Sequence, residues 1–246
     1  MREICISGFS ALTREWYLET PEHTEIWAMN EAHIYLKRKA SRWFQLHPRN
    51  WNEARADKEG WAYDNYGRPV EHVELLAKLD VPVVQQFIDS RIPMSTLYPM
   101  EEITERYGFE WIGEKKRPYL TSTAAMMMAL AIYEHDQYVD RHPRGKKGRV
   151  SKIHLSGIEL AIGTEYFEQR PCIEYWCGLA EGKGIKIELP KTGSSLLTGQ
   201  VYAHEHANPL HPGAMKGIGY DFNLAAGVEF AAVMEDEEGK AVGILE

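Results

Sequence analysis

The run Ala124-Ala125-Met126-Met127-Met128-Ala129-Leu130-Ala131-Ile132 carries no polar side chain on any face. A surface helix places polar residues at every third or fourth position, so this run, if helical, is buried all round. The rest of the chain has to be arranged around it. The Thr121-Ser122-Thr123 turn ahead of it supplies hydroxyl N-caps and leaves free N–H groups at the helix start. Further on, Lys152-Ile153-His154-Leu155-Ser156-Gly157-Ile158-Glu159-Leu160 reads as a short strand ending in a glycine turn and an acid. A second helix is expected from Pro171 to Gly182, with Pro at its first position. Ile185 to Pro190 reads as another strand, followed by Ser194-Ser195-Leu196-Leu197. Helix alternating with strand is the pattern of a parallel sheet with crossover connections.

The same alternation is present upstream. Ile4 to Gly8 reads as a strand, Ser10 to Leu18 as a helix, Glu25 to Asn30 as a second strand, and Glu31 to Arg38 as a helix. Arg42 to Pro48 reads as a third strand, Glu71 to Lys78 as a helix, Val81 to Gln85 as a fourth strand, and Met100 to Tyr107 as a short helix. Residues 49–70 are aromatic and polar without a period, which suits a long loop or lid. The strands end at small, polar or ring residues: Ser7 and Gly8, Asn30, His47 and Glu159. In an open parallel sheet those carboxyl ends line the ligand crevice. The expected fold is α/β, a Rossmann-like, mostly parallel sheet with helices on both faces. It occupies residues 1–200, and a His/Gly-rich C-terminal extension, 201–246, packs on the same domain.

Composition narrows the classes. Hydrophobic residues make up 44% of 246, enough for a core without a disulfide or metal staple. Cys5, Cys172 and Cys177 match no zinc spacing and read as buried thiols in a reducing compartment. Met1 leads at once into a strand without a signal-peptide run, and no segment is long enough to span a membrane. The expectation is a cytoplasmic protein with no membrane partner. A net charge of −8 argues against general nucleic-acid binding. Lys115-Lys116-Arg117 and the Arg141–Lys152 segment are local basic exceptions, read first as solvated loops. The sequence leaves self-association open.

The central block resembles the bacterial sialyltransferases of glycosyltransferase family 42, and the wider Rossmann-like group of the archaeal hydroxymethylpterin pyrophosphokinase type. The resemblance is carried by Ser7-Gly8-Phe9-Ser10, Asn30, Thr121-Ser122-Thr123, Ile153-His154-Leu155-Ser156-Gly157-Ile158-Glu159, and Pro190 with Ser194-Ser195-Leu196-Leu197. Glu165 to Pro171 also resembles uncharacterised proteins of bacteriophage genomes. The resemblance implies a nucleotide or nucleotide sugar held by Gly8, Ser10, Asn30, Ser122, Thr123 and Glu159, with Tyr166 on the leaving phosphate. This chain departs from the family pattern: Ser7 stands where the family has Asn, Thr123 where it has Gly, and Glu159 where it has Asp. The family's general-base histidine has no counterpart in its usual segment.

Residue chemistry gives each position two readings. Thr121, Ser122 and Thr123 suit a phosphate or sugar hydroxyl, or serve simply as caps. Glu159 suits a ribose diol, or is a surface carboxylate. Tyr166, Gln169 and Arg170 suit a phosphate or carboxylate, while Arg170 has Glu165 and Glu174 as rival partners. His204, His206 and His211 form the histidine cluster, which suits a general base or a metal; His204 or His206 is the candidate base, with His47 its rival. No metal site is assigned. No P-loop, Gly-x-Ser-x-Gly elbow or Gly-x-Gly-x-x-Gly fingerprint is present. The favoured function is glycosyl transfer from a nucleotide sugar. One alternative is pyrophosphoryl or nucleotidyl transfer, with Mg²⁺ held by Glu159 and Glu165. The other is a non-catalytic protein that sequesters a nucleotide.

Overall fold

Short apolar runs whose side chains alternate between two buried faces build the sheet. In the computed structural model, the described residues are 1–47, 69–110, 115–158, 160, 169–191, 196–197, 232–235 and 241–245, with backbone alone for 69–72 and the last two stretches. Seven strands pair in parallel: β1 (Arg2–Ser7), β2 (Glu25–Met29), β3 (Arg42–Gln45), β4 (Val83–Gln85), β5 (Ser95–Leu97), β6 (Val150–Ser156) and β7 (Lys186–Glu188). Their order across the sheet is β5-β4-β3-β2-β1-β6-β7. The helices are α1 (Pro69–Ala77), α2 (Met100–Tyr107), α3 (Thr123–Arg141) and α4 (Gln169–Gly182).

Register decides which side chains share a face. Cys5, Ile26, Ala28, Trp43 and Val83 line one face, where they pack with Tyr17, Ala32, Tyr35 and Leu76 from the connecting segments. The alternate residues Ile4, Ile6, Trp27 and Phe44 point to the other face and are buried there. That face is crossed by α3, beside which α4 packs. No residue from Ala124 to Ile132 is more than 7% exposed, so the apolar run lies inside the fold as its composition requires. Burying a side chain such as Met127 or Ile132 contributes about 1.5–3 kcal/mol each.

The chain builds outward from β1 to β5, then returns through α3 to place β6 on the other side of β1. The reversal of strand order therefore falls between β1 and β6, the switch point where open α/β sheets bind ligands. Two contacts along α3 fix its direction. The Tyr98 hydroxyl, just past β5, donates to the Met126 carbonyl at 2.9 Å. About two turns further on, Glu134 accepts from Arg2 and Arg42, which open β1 and β3. The start of α3 thus lies at the carboxyl edge of the sheet and its end at the amino edge.

Several expected elements differ. The helix expected over 10–18 is a 3-10 helix, Arg14–Glu19. The Ser156 hydroxyl donates to the Thr13 and Arg14 carbonyls and accepts from the Tyr17 N–H, so this segment is tied to β6 instead of forming an α-ladder. The helix expected over 31–38 shortens to a 3-10 turn, Ala32–Ile34. Beyond it, Arg38 reaches back to the carbonyls of Tyr17, Thr20, Pro21, Glu22 and Thr24. Pro82 has no N–H to donate and stays outside β4, although its carbonyl accepts from the Trp43 N–H. Pro171 is the third residue of α4, not its first.

The chain divides into two compact units, Met1–Glu159 with Glu168–Leu196, and Leu160–Phe167 with Leu197–Glu246. The seven-stranded sheet belongs to the first. In the second, β8 (Ala232–Glu235) and β9 (Ala241–Leu245) form an antiparallel pair.

Candidate functional site

At the switch point the ends of β1 and β6 meet backbone to backbone. The Gly8 N–H donates to the Ser156 carbonyl at 2.7 Å and the Ser10 N–H to the Gly157 carbonyl at 3.0 Å. The Gly157 N–H in turn donates to the Thr13 hydroxyl. Gly157 has a φ of +68°, and a Cβ on it would lie 2.4 Å from the Gly8 carbonyl oxygen. Glycine is required here both for the left-handed backbone and for the approach. The Tyr35 hydroxyl closes the other side of the turn, donating to the Gly8 carbonyl at 2.7 Å and lying 3.3 Å from the Ser7 hydroxyl. Burial pushes the Tyr35 phenol well above its ordinary range, so it stays neutral.

Asn30 follows β2 with a φ of 48°, one of few non-glycine residues in the left-handed region. Its N–H donates to the Phe44 carbonyl, and its carbonyl accepts from the Trp43 indole. The side-chain amide oxygen is buried and has no hydrogen-bond partner among the described residues. Beyond β3, the Gln45 amide nitrogen lies 3.2 Å from Nδ1 of half-buried His47.

The Thr121–Thr123 turn enters α3 at the same edge. Ser122 has an extended backbone and its hydroxyl accepts from the Ala125 N–H at 3.1 Å, so it caps the helix. Thr121 is exposed and Thr123 half-buried. The segment before them is fastened to α4: the Tyr119 carbonyl accepts from the Trp176 indole at 2.7 Å and from the Cys172 thiol. The first turn of α4, with Gln169 and Arg170, therefore lies near this turn. Arg170 donates to Glu174 at 3.0 Å, the helical pairing that rivalled a ligand role. Cys5 and Cys177 are buried, and burial pushes each thiol up to about 12, which leaves them unreactive. Glu159, Tyr166, His204, His206 and His211, residues 49–68 of the expected lid, and Ser194 and Ser195 lie outside the described residues.

Three residues at this edge were given no role of their own from the sequence. Ser156 and Tyr35 hold the switch point together through the bonds given above. Arg14 is the third. Its guanidinium lies over the Tyr35 ring, 5.5 Å from the centroid. The sequence signal available for it was a cation soon after the small-residue turn that ends β1.

Among the described residues, no group of three or more His, Cys, Asp or Glu side chains is placed to hold a metal ion. Nor is any described helix long and apolar enough to cross a membrane.

No family model matches the chain, and no curated protein matches it. Among solved structures, the chain is similar to the sialyltransferase CstII from Campylobacter jejuni in complex with the substrate analogue CMP-3FNeuAc. The identity is 14% and the TM-score 0.45, over 77% of this chain and 80% of that one. It is similar to the sialyltransferase CST-II in complex with trisaccharide acceptor and CMP, at 14% identity and a TM-score of 0.41, over 76% and 80% of the two chains. An alpha-2,3-sialyltransferase from Campylobacter jejuni in apo form is similar at 14% identity and a TM-score of 0.42, over 79% and 77%.

Proposed function

We propose that the chain binds a nucleotide or nucleotide sugar at the carboxyl edge of its sheet, and that it is a glycosyltransferase-like enzyme using the nucleotide sugar as donor. The observation that carries the reading is Asn30. Its amide oxygen is buried without a donor among the described residues, at the end of the strand next to β1, and its backbone is left-handed. A buried acceptor left unpaired costs roughly 1–3 kcal/mol. A base amine or a sugar hydroxyl reaching it would remove that cost. The sequence supports the same reading through Asn30 and the Ile153–Glu159 motif, whose Ser156-Gly157 turn meets the β1 turn at the switch point.

Transfer would proceed by loss of the nucleotide phosphate as the glycosyl bond breaks. Negative charge then grows on that phosphate, and Tyr166 is the residue proposed to donate to it. A base must take the acceptor's proton. His204 and His206 are the candidates, with His47 their rival.

Thermal-shift screening against nucleotides and nucleotide sugars tests the binding step, because a ligand of the folded state raises its apparent stability. Donor hydrolysis or transfer, lowered roughly ten- to a thousandfold by Tyr166→Phe with donor affinity kept, would support the enzyme reading. Tight binding with no product from any donor would replace it by sequestration. AMP release from ATP would replace it by pyrophosphoryl transfer.

A further inference from the structure

We propose that Arg14 is the anion-binding residue of the carboxyl-edge site and takes a phosphate group of the ligand. The inference rests on the reading of that edge as a nucleotide site, and adds to it a residue and a charge.

Arg14 is placed by its backbone at the switch point itself. Its N–H donates to the Ser10 carbonyl at 2.8 Å, and its carbonyl accepts from the Ser156 hydroxyl at 3.1 Å. A Cβ on Gly157 would lie 3.0 Å from the Arg14 Cα. From that root, beside the end of β6, the side chain reaches the ring of Tyr35, whose hydroxyl holds the end of β1. Stacking on an aromatic face steadies a guanidinium and leaves its N–H edge open to an acceptor.

Among the described residues no acceptor takes that edge, whereas every other half-buried arginine among them has one. Arg2 donates to Glu25 and Glu134, Arg42 to Glu134, Arg170 to Glu174, Arg149 to the Pro143 carbonyl, and Arg38 to a ring of carbonyls. Glu15, the acid next in sequence, is paired with Lys37 at 2.8 Å. The rival anion site, the start of α3, has one of its open N–H groups taken by the Ser122 cap. A planar fork with five donors matches phosphate oxygens two at a time, which sugar hydroxyls do not require.

The test uses inorganic pyrophosphate as probe in calorimetry, with nucleoside monophosphates and the matching nucleosides compared by thermal shift. Arg14→Gln is expected to weaken pyrophosphate and monophosphates by roughly ten- to a hundredfold, the effect of losing a charged hydrogen bond, and to leave the nucleosides unchanged. Arg14→Lys, which keeps the charge without the fork, should lose less. Arg144→Gln, an exposed arginine in the segment leading into β6, should lose nothing. Thermal melts of each variant establish that it is folded, and should Arg14→Gln not fold, Arg14→Lys against the parent carries the comparison. Unchanged pyrophosphate and monophosphate binding in Arg14→Gln overturns the assignment while the nucleotide site stands. Pyrophosphate binding that depends on Arg14, with no nucleoside or nucleotide bound, supports the assignment and removes the nucleotide reading. A parent protein that binds none of these probes overturns both.

Discussion

Replacing Gly157 by alanine would put a methyl group where the end of β1 already is. The new Cβ would lie 2.4 Å from the Gly8 carbonyl oxygen, 2.7 Å from its carbon and 3.0 Å from the Arg14 Cα. All three are backbone atoms, so no side-chain rotation makes room. The φ of +68° adds a left-handed penalty of roughly 1–2 kcal/mol for a residue with a Cβ. Relieving the overlap by backbone shifts costs about 1–3 kcal/mol more. The shift would also pull on the Ser10-to-Gly157 and Gly157-to-Thr13 hydrogen bonds. Together these give a loss of roughly 2–5 kcal/mol, read as a lower urea midpoint at unchanged slope. Gly178→Ala is the matched comparison. Gly178 is exposed within α4 and a Cβ there meets nothing within 4 Å, so helix propensity alone should stabilise by about 0.8–1 kcal/mol. The same chemical change should therefore have opposite signs at two glycines. A Gly157→Ala protein as stable as the parent would mean that β1 and β6 do not meet as described, and the switch-point site would go with them.

Met127→Asp should leave the chain unfolded in circular dichroism and gel filtration. Met127 is fully buried, and an unpaired charge there costs several kcal/mol. Arg38→Ala should lower the urea midpoint, since it removes the donor to five backbone carbonyls from Tyr17 to Thr24. Stability should fall steadily with acid. His154, lowered from 6.5 chiefly by burial although Glu3 pulls the other way, resists the proton that the unfolded ring accepts, so loss begins as the pH drops through that value. For Asp136 and Glu25 burial pushes the carboxyls up. The Lys183 and Tyr107 hydrogen bonds on Asp136 and the Arg2 bond on Glu25 outweigh it, so both lie below their ordinary values and add a second loss as the pH falls further. Urea midpoints that rise between about pH 8 and pH 6 would contradict the His154 sign, and His154→Gln should flatten that limb.

What the sequence made legible follows from which residues have only one energetic option. The Ala124–Ile132 run has no polar face to show water, and α2 sits between Pro99 and Gly108, so both helices were evident. Strand ends were evident because their residues switch abruptly from apolar to small or polar. The two 3-10 segments were not, since their shape depends on Ser156 and Arg38, partners far away in sequence. β5 was missed because Ser95-Thr96-Leu97 has no apolar alternation; it pairs with β4 on one side only, and its residues are not buried. Arg170 had both a helical partner and a ligand reading, and the Glu174 bond forms only once the helix places the two side chains one turn apart. Arg14 lay in a stretch read as a helix, where a lone cation attracts no notice. Its lack of an acceptor among the described residues is a property of the packed edge and not of its neighbours in sequence.

Asn30 allows the structural and the ligand-binding explanations of one residue to be separated. In Asn30→Ala both would fail together, because alanine tolerates the left-handed region less well than asparagine and the amide is also lost. Asn30→Gly divides them. Glycine adopts a φ of 48° freely, and the N–H to Phe44 and the carbonyl accepting from Trp43 belong to the backbone, so they survive. The buried oxygen that lacks a partner disappears, and with it a cost of roughly 1–3 kcal/mol. Asn30→Gly should therefore melt no lower than the parent. If the amide exists to serve a ligand, the nucleotide giving the largest thermal shift should bind this more stable protein more weakly, by roughly two- to tenfold for one neutral hydrogen bond. Stability and affinity then move in opposite directions, which no purely structural role produces. Should Asn30→Gly bind that nucleotide as well as the parent does, the amide is a tolerated defect of a tight turn, and the observation on which the proposed function stands is lost.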